Sequence, residues 1–237
     1  MTDSYRAPDL DRERELEANR LAVLQSYGIL NTEEEPAFDA IAQTATEFGR
    51  SPAALIGFFD RDVQWFKSAI GWKLTSVPRR NTLCTAAELS TDPVIILDTK
   101  ADLRFISHPW VVSGPLIRFY ASIPLVAPTG ELLGSLAIFD RVPHSEDPRL
   151  SERLIRLRDL VMSLLELRRD TIADQLRASQ AEDARLDLAE SEERFRDLFD
   201  SMDDIIVTIA PDGRVLHGNR TWLTSSAKSA PAATSAT

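Results

Sequence analysis

The residue most capable of covalent or redox chemistry is Cys84, the only thiol in the chain. A role as a redox sensor or as a ligand attachment point requires a lowered thiol pKa or an exposed position. The alternative is a small buried core residue, which is where free cysteines are commonly found. A single cysteine excludes an internal disulfide and a cysteine-based zinc site, and it favours a reducing, cytoplasmic compartment.

The three histidines, His108, His144 and His217, are far apart, and none has a carboxylate or cysteine partner at metal-ligand spacing. We therefore predict no metal site. His108 lies in residues 100–114, a segment too long for a plain connector. It is interpreted either as part of a lid over a pocket or as a surface histidine. The glycines match neither a phosphate-binding loop nor a nucleophile elbow, so we predict no catalytic residue and no enzyme activity.

Aromatic residues are the other candidates for a binding site. Trp65, Phe66, Trp72 and Trp110 fall in the middle of the chain. Ligand pockets are mostly lined by apolar and aromatic side chains, so one or two of these, with Trp65 and Trp110 as candidates, would line a cavity. The alternative is that they pack in the core.

Charge and composition argue against several classes of protein. The net charge of −10 argues against a nucleic-acid partner, because phosphate binding relies on clustered Lys and Arg. Residues 170–204 contain twelve acidic residues and four arginines, a net of −8 that indicates a solvated helix face or an acidic docking tail. No stretch approaches the roughly 20 apolar residues of a membrane-spanning helix, and the charged N-terminus lacks a signal-peptide pattern.

The elements around these residues predict an α+β fold with a central antiparallel sheet and helices packed on it. Apolar spacing indicates helices over residues 10–27 and from Pro36 to Gly49. Short apolar or β-branched runs predict strands at 54–60, 63–69, 94–98, 118–126 and 131–140. Residues 128–130 (PTG) fit a hairpin turn between the last two strands.

A helical pattern then runs for about 50 residues, from Pro148 to Asp200. Its apolar residues step by 4-3-4-3, the spacing of a coiled-coil seam. They are Leu150, Leu154, Leu157, Val161 and Leu164. We expect this seam to form a parallel homodimer. Beyond residue 176 the helix is too polar to pack on a globular core, so it is either a coiled coil or a helix extended between domains.

Residues 20–32 (RLAVLQSYGILNT), 36–45, 54–72, 78–84 (PRRNTLC), 92–105, 114–141 and 164–169 resemble, in order and spacing, the GAF family of sensory domains. The likeness is to the bacterial branch that precedes kinase and cyclic-di-GMP output modules. It implies a GAF domain over 15–167 and a signalling helix over 168–190, with residues 1–14 a flexible arm. It also implies a pocket between the sheet and the segments holding Cys84 and residues 100–114.

The polar side chains that the resemblance implies for this pocket are Arg104, Arg118 and Tyr120, beside His108. They would suit a small, partly apolar ligand, with an anionic group as an option; the sequence identifies no cofactor. Arg104 has a structural alternative, an ion pair with Asp98 or Asp102. Bilin-binding relatives place a histidine after the attachment cysteine, and here that residue is Thr85, which argues against a covalent chromophore.

Residues 191–223 resemble the opening of a PAS domain, and we expect residues 224–237 to be disordered. About 30 residues cannot close a core of their own, so the chain is either truncated here or the front of a longer protein.

The leading hypothesis is a regulatory input module of a histidine kinase, two-component or cyclic-di-GMP protein, acting on an output domain or a partner kinase or cyclase. A methionine sulfoxide reductase would need several cysteines. The remaining alternative is a ligand-free dimerisation scaffold with a filled core.

Overall fold

The computed structural model describes residues 7–86 and 91–229. They fall into two compact units, Met1–Ile172 and Ala173–Thr237. The helices are α1 (Ala7–Ser26), α2 (Pro36–Gly49), α3 (Leu83–Ala86), α4 (Pro109–Val112), α5 (Leu150–Ser201) and α6 (Arg220–Ser229). The strands are β1 (Ala53–Phe59), β2 (Val63–Ile70), β3 (Ser76–Pro78), β4 (Val94–Ile96), β5 (Phe119–Val126), β6 (Leu132–Asp140), β7 (Val207–Ile209) and β8 (Val215–Gly218).

The first unit contains one six-stranded sheet with the order β3-β2-β1-β6-β5-β4, and all neighbouring strands are antiparallel. Local chemistry accounts for its connections. Gly130 adopts a φ of 104° in the β5–β6 turn, where Ala127 and Glu131 are joined by a backbone hydrogen bond. Pro36 opens α2, and Arg50 ends it in the left-handed conformation. The predicted α+β fold is confirmed.

Each face of the sheet has its own apolar core. One core lies under α1, α2 and α5 and includes Leu24, Phe38, Phe58, Phe119 and Leu154. The other lies under α3, α4 and the loops around them. Strands such as β1, buried along its whole length, therefore contribute alternate residues to the two cores.

The predicted dimer seam faces inward. Leu150, Leu154, Leu157 and Val161 are between 0% and 6% exposed and belong to the core under the helices; Leu164 is partly buried against the same core. The prediction that these side chains contact a second chain is therefore wrong. The sheet presents an apolar face that must be covered, and the first turns of α5 cover it.

Two terminal predictions also need correction. Residues 7–14 belong to α1 rather than to a flexible arm, and residues 224–229, which were expected to be disordered, belong to α6. In α6 the amide oxygen of Asn219 accepts the Trp222 backbone N–H, which caps the first turn. The rest of the predicted arm and tail, residues 1–6 and 230–237, lies outside the described residues.

In the second unit α5 continues from Ala173, and β7 and β8 form an antiparallel hairpin followed by α6. This hairpin lies within residues 191–223, the segment that resembles the opening of a PAS domain. None of the helices in the described part of the chain combines the length and the hydrophobicity of a membrane-spanning segment.

Candidate functional site

Cys84 is a residue of α3, and its buried side chain joins a polar cluster on the sheet. Its Sγ is 3.0 Å from the Tyr120 hydroxyl and 3.3 Å from Ser135 Oγ. Gln64 Nε2, from β2, donates to Ser135 Oγ at 3.4 Å. Burial raises the pKa of Tyr120 well above its ordinary value, so the phenol stays neutral. The cluster thus joins β2, β6 and β5 to the cysteine through neutral hydrogen-bonding groups.

The cavity beside Cys84 is very small. Its volume is about 20 Å³, and Asp92, Ser122 and Pro124 are among its lining residues. A space of this size holds about one water molecule. The arrangement therefore matches the structural alternative for Cys84, a buried core side chain. Among the residues that the structure describes, no group of His, Cys, Asp or Glu is placed to hold a metal.

A larger space lies at the end of β2, where the chain turns towards β3 beside α4. It is an open groove of about 460 Å³ lined by Gly71, Trp72, Lys73, Leu74, Val77, Trp110, Pro115 and Arg141. The Trp72 ring stacks on Phe139 at 5.1 Å and meets the Trp110 ring edge-on at 5.5 Å. We call this space the tryptophan groove; its volume falls within the range of ligand sites.

Two cations border the tryptophan groove. Lys73 and Arg141 are exposed, and neither forms an ion pair with any side chain in the described ranges. Elsewhere in the first unit most arginines are paired with acidic side chains. The groove therefore combines aromatic walls with unneutralised positive charge on a protein whose net charge is −10.

The predicted pocket arginines lie elsewhere. Arg118 pairs with Asp98 through two hydrogen bonds of 2.6 and 2.8 Å, and the Arg118 contact lowers the pKa of Asp98 to about 2. Arg104 pairs with Asp102 at 2.6 Å in an exposed loop. Neither arginine lines the cavity or the tryptophan groove. The expectation that they line the pocket is corrected, since nearby carboxylates satisfy both guanidinium groups.

Trp65 also lies outside both spaces. It stacks on Phe58 at 6.4 Å and packs against the core under the helices, on the opposite face of the sheet from Cys84. Successive residues of β2 alternate between faces, so Trp65 and Phe66 cannot both line the same pocket. The prediction that Trp65 lines the site is therefore wrong.

His108 has a local role at the groove. Its Nδ1 accepts the backbone N–H of Trp110 at 3.2 Å and caps α4. Burial lowers the pKa of His108, with an opposing contribution from the Thr82 backbone, so the neutral ring can keep this acceptor role near neutral pH. Of the predicted site residues, the structure brings together Cys84 with Tyr120, and His108 with Trp110.

Several residues at these spaces did not stand out in the sequence. Lys73 lies three residues after the end of β2 and Arg141 directly follows β6, whereas Gln64 and Ser135 are buried polar residues within β2 and β6. A polar residue in a strand that is buried on both faces is a detectable signal, because such a group needs a hydrogen-bond partner. The two cations carry no comparable signal, since exposed Lys and Arg at strand ends are ordinary.

Comparison with known proteins agrees with the fold. A GAF domain model matches residues 33–168, and a PAS domain model matches residues 193–224. A cyclic di-GMP phosphodiesterase of Pseudomonas aeruginosa is 35% identical over 159 residues, which cover 65% of this chain and 27% of that protein. The chain thus spans about a quarter of the length of this relative.

The chain is also similar to solved structures at low sequence identity. The GAF domain of a phosphoenolpyruvate-protein phosphotransferase from Coxiella burnetii superposes with a TM-score of 0.50 and 16% identity, covering 66% of this chain and 98% of that chain. A free methionine-R-sulfoxide reductase from Neisseria meningitidis gives a TM-score of 0.47 and 18% identity, covering 67% and 90%. The similarity to the Coxiella burnetii domain shows the fold alone. The predicted GAF domain followed by the start of a PAS domain is confirmed by the two domain models.

Proposed function

The chain belongs to the GAF domain family, and on that premise we propose that its first unit is a regulatory input module that binds a small aromatic anion. The observation that carries this proposal is the tryptophan groove, with its two stacked or edge-packed indoles and two cations. Indole walls favour a flat apolar ligand, and Lys73 with Arg141 would neutralise an acidic group on it.

The proposal is tested with a defined probe, 1-anilinonaphthalene-8-sulfonate, an aromatic anion whose fluorescence rises on binding. Replacing Trp110 with Ala or Arg141 with Gln should weaken binding by about tenfold or more, because a desolvated ring contact or a charged interaction is lost. Arg156→Gln, on the exposed face of α5, is the control and should bind as the wild type does. Equal affinity in all four proteins would contradict the assignment of the groove.

We further propose that this input acts on an output of the histidine-kinase or cyclic-di-GMP type. Support comes from the similarity to a cyclic di-GMP phosphodiesterase and from the PAS segment at residues 193–224, which begins within the last turns of α5. The test is a chimera in which residues 7–172 replace the matching GAF region of that relative. Its cyclic di-GMP hydrolysis should change when the probe is added, and a constant rate in a well-folded chimera would contradict the proposal.

For signal transfer we propose a homodimer through the outward face of α5. Leu160 and Leu167 are 53% and 65% exposed and seven residues apart, so they share one side of the helix. Changing both to Glu should give a folded monomer in light scattering. Unchanged mass after the double substitution would contradict this interface.

A second candidate function is a ligand-free dimerisation scaffold, which the nearly filled cavity beside Cys84 favours. Absence of probe binding at the groove, together with a stable dimer, would support it. We propose that the protein has no enzymatic activity in either of these two functions and that it works in the cytoplasm. Sulfoxide reduction that disappears in Cys84→Ser would contradict the non-enzymatic assignment.

A further inference from the structure

Strand β2 contains an irregularity that redirects its side chains. In its pairing with β1, Ile56 lies opposite Ser68 and Gly57 lies opposite Phe66, so Lys67 is an additional residue. Such a β-bulge lets two successive side chains point to the same face of a sheet. Here Lys67 and Ser68 both reach residues on the face covered by α2 and α5, and Ser68 Oγ donates to Asp39 in α2.

The Lys67 side chain is completely buried and fully hydrogen-bonded. It is 0% exposed, and its Nζ donates to Thr32 Oγ1 and to Glu35 Oε1, each at 2.7 Å, and to the backbone carbonyl of Glu33. A lysine has three donors, so every one of them is used. Burying a charge at this position is costly unless it is paired, and Glu35 supplies the opposite charge.

The same carboxylate oxygen also holds α5. Arg168 Nη1 lies 2.8 Å from Glu35 Oε1, and Arg168 Nε donates to the Gly28 carbonyl at 3.1 Å. Glu35 is, in addition, the residue that precedes the first turn of α2. One carboxylate therefore ties β2, α2 and α5 together. Burial alone would raise the pKa of Glu35, but the Lys67 and Arg168 contacts outweigh it and the pKa is lowered.

The strand that carries Lys67 is connected to the lining of both spaces on the other side of the sheet. Gln64 contacts Ser135, which contacts Cys84, and Trp72 and Lys73, two and three residues after the end of β2, line the tryptophan groove. A shift of β2 at its bulge would therefore move groups at the groove and at Glu35 together. Coupling between two sites requires such an element with two arrangements that both sites bias.

We propose that Glu35 is a coupling residue: through Lys67 and Arg168 it ties the position of α5 to that of β2, so that a change at the groove side is passed to the helix. This inference rests on the proposed regulatory function and names its route. Because coupling is reciprocal, releasing α5 from Glu35 must also change the groove side of the sheet. Cys84, the only thiol, reports on that side.

The experiment measures the rate at which methyl methanethiosulfonate modifies Cys84 in the full chain. Arg168→Gln leaves the Lys67–Glu35 pair in place and removes the link to α5, so it should raise the rate by about fivefold or more. Arg156→Gln, which breaks an exposed pair with Glu152 on the same helix, should leave the rate unchanged. An Arg168→Gln rate within twofold of the wild type would overturn the proposal.

A cycle with Lys67→Met separates coupling from general destabilisation. If Arg168 acts through Glu35 and Lys67, Arg168→Gln should have almost no further effect on the Cys84 rate in the Lys67→Met background. Independent destabilising changes would instead combine additively, and that outcome would refute the route. Should Lys67→Met fail to fold, Val161→Ala serves as a destabilised reference with the cluster intact. The Cys84 modification rate of Arg168→Gln must then exceed that of Val161→Ala when the two variants are compared at equal unfolding midpoints.

These outcomes are distinct from those of the proposed ligand site. If Arg168→Gln leaves the Cys84 modification rate unchanged while the probe still binds, the coupling is refuted and the sensor proposal stands. Absence of probe binding with the Cys84 response intact would refute the groove as a ligand site and leave the mechanical link between β2 and α5.

Discussion

The inward position of the α5 leucines makes a quantitative prediction about stability. Leu154 is 0% exposed in the core between the sheet and the helices, whereas Leu160 on the same helix is 53% exposed. Truncating a fully buried leucine to alanine removes its transfer free energy and leaves a cavity, at a cost of about 3–5 kcal/mol. Within a single chain Leu160 is already half in water, so at concentrations where the chain is monomeric Leu160→Ala should cost less than about 1 kcal/mol.

The assay is urea unfolding of the full chain followed by tryptophan fluorescence, because Trp65, Trp72 and Trp110 all lie in the first unit. Because the free energy of unfolding of a protein is typically about 5–15 kcal/mol, Leu154→Ala should lower the urea midpoint strongly. In thermal unfolding it should lower the Tm by about 6–20 °C. The shift should not depend on protein concentration, since the contact is within one chain. Equal costs for the two variants, or a concentration-dependent loss, would refute the inward assignment.

Two further predictions concern local chemistry. The hydrogen bond from Arg20 is the largest cause that lowers the pKa of Glu17 to about 2. Its stabilisation should be present above about pH 5 and lost as pH falls towards 2, so the difference in unfolding midpoint between the wild type and Glu17→Gln should shrink over that range. Gly134→Ala should unfold the first unit or make it insoluble, since the new Cβ would lie 2.0 Å from the Gly57 carbonyl oxygen. At Gly130 an added Cβ would meet no atom within 4 Å. Gly130→Ala should therefore cost only about 1–2 kcal/mol of backbone strain, measured from thermal unfolding followed by circular dichroism.

Local sequence patterns were enough to predict most elements of the first unit. Pro36 and Gly49 mark the ends of α2, and the turn at residues 128–130 joins two apolar strands that the structure pairs as β5 and β6. These features depend on backbone preferences of individual residues and on short-range periodicity, so they are readable from the chain alone. The β3 strand, three residues long, carries too little periodicity to be recognised.

Long-range contacts decide which element packs against each face of a helix or strand. The 4-3-4-3 spacing of Leu150 to Leu164 correctly predicts an apolar stripe on a helix, but a stripe buries equally well against a second helix or against a sheet. Likewise the alternation of β2 separates Trp65 from Phe66 without saying which face holds a pocket. Lys67 reads from sequence as an ordinary charged strand residue. Its burial depends on a bulge in the pairing with β1 and on Glu35 and Arg168, which lie 32 residues before it and about 100 residues after it. Burial and ion pairing arise from groups brought together across the chain, and only the tertiary structure specifies which groups those are.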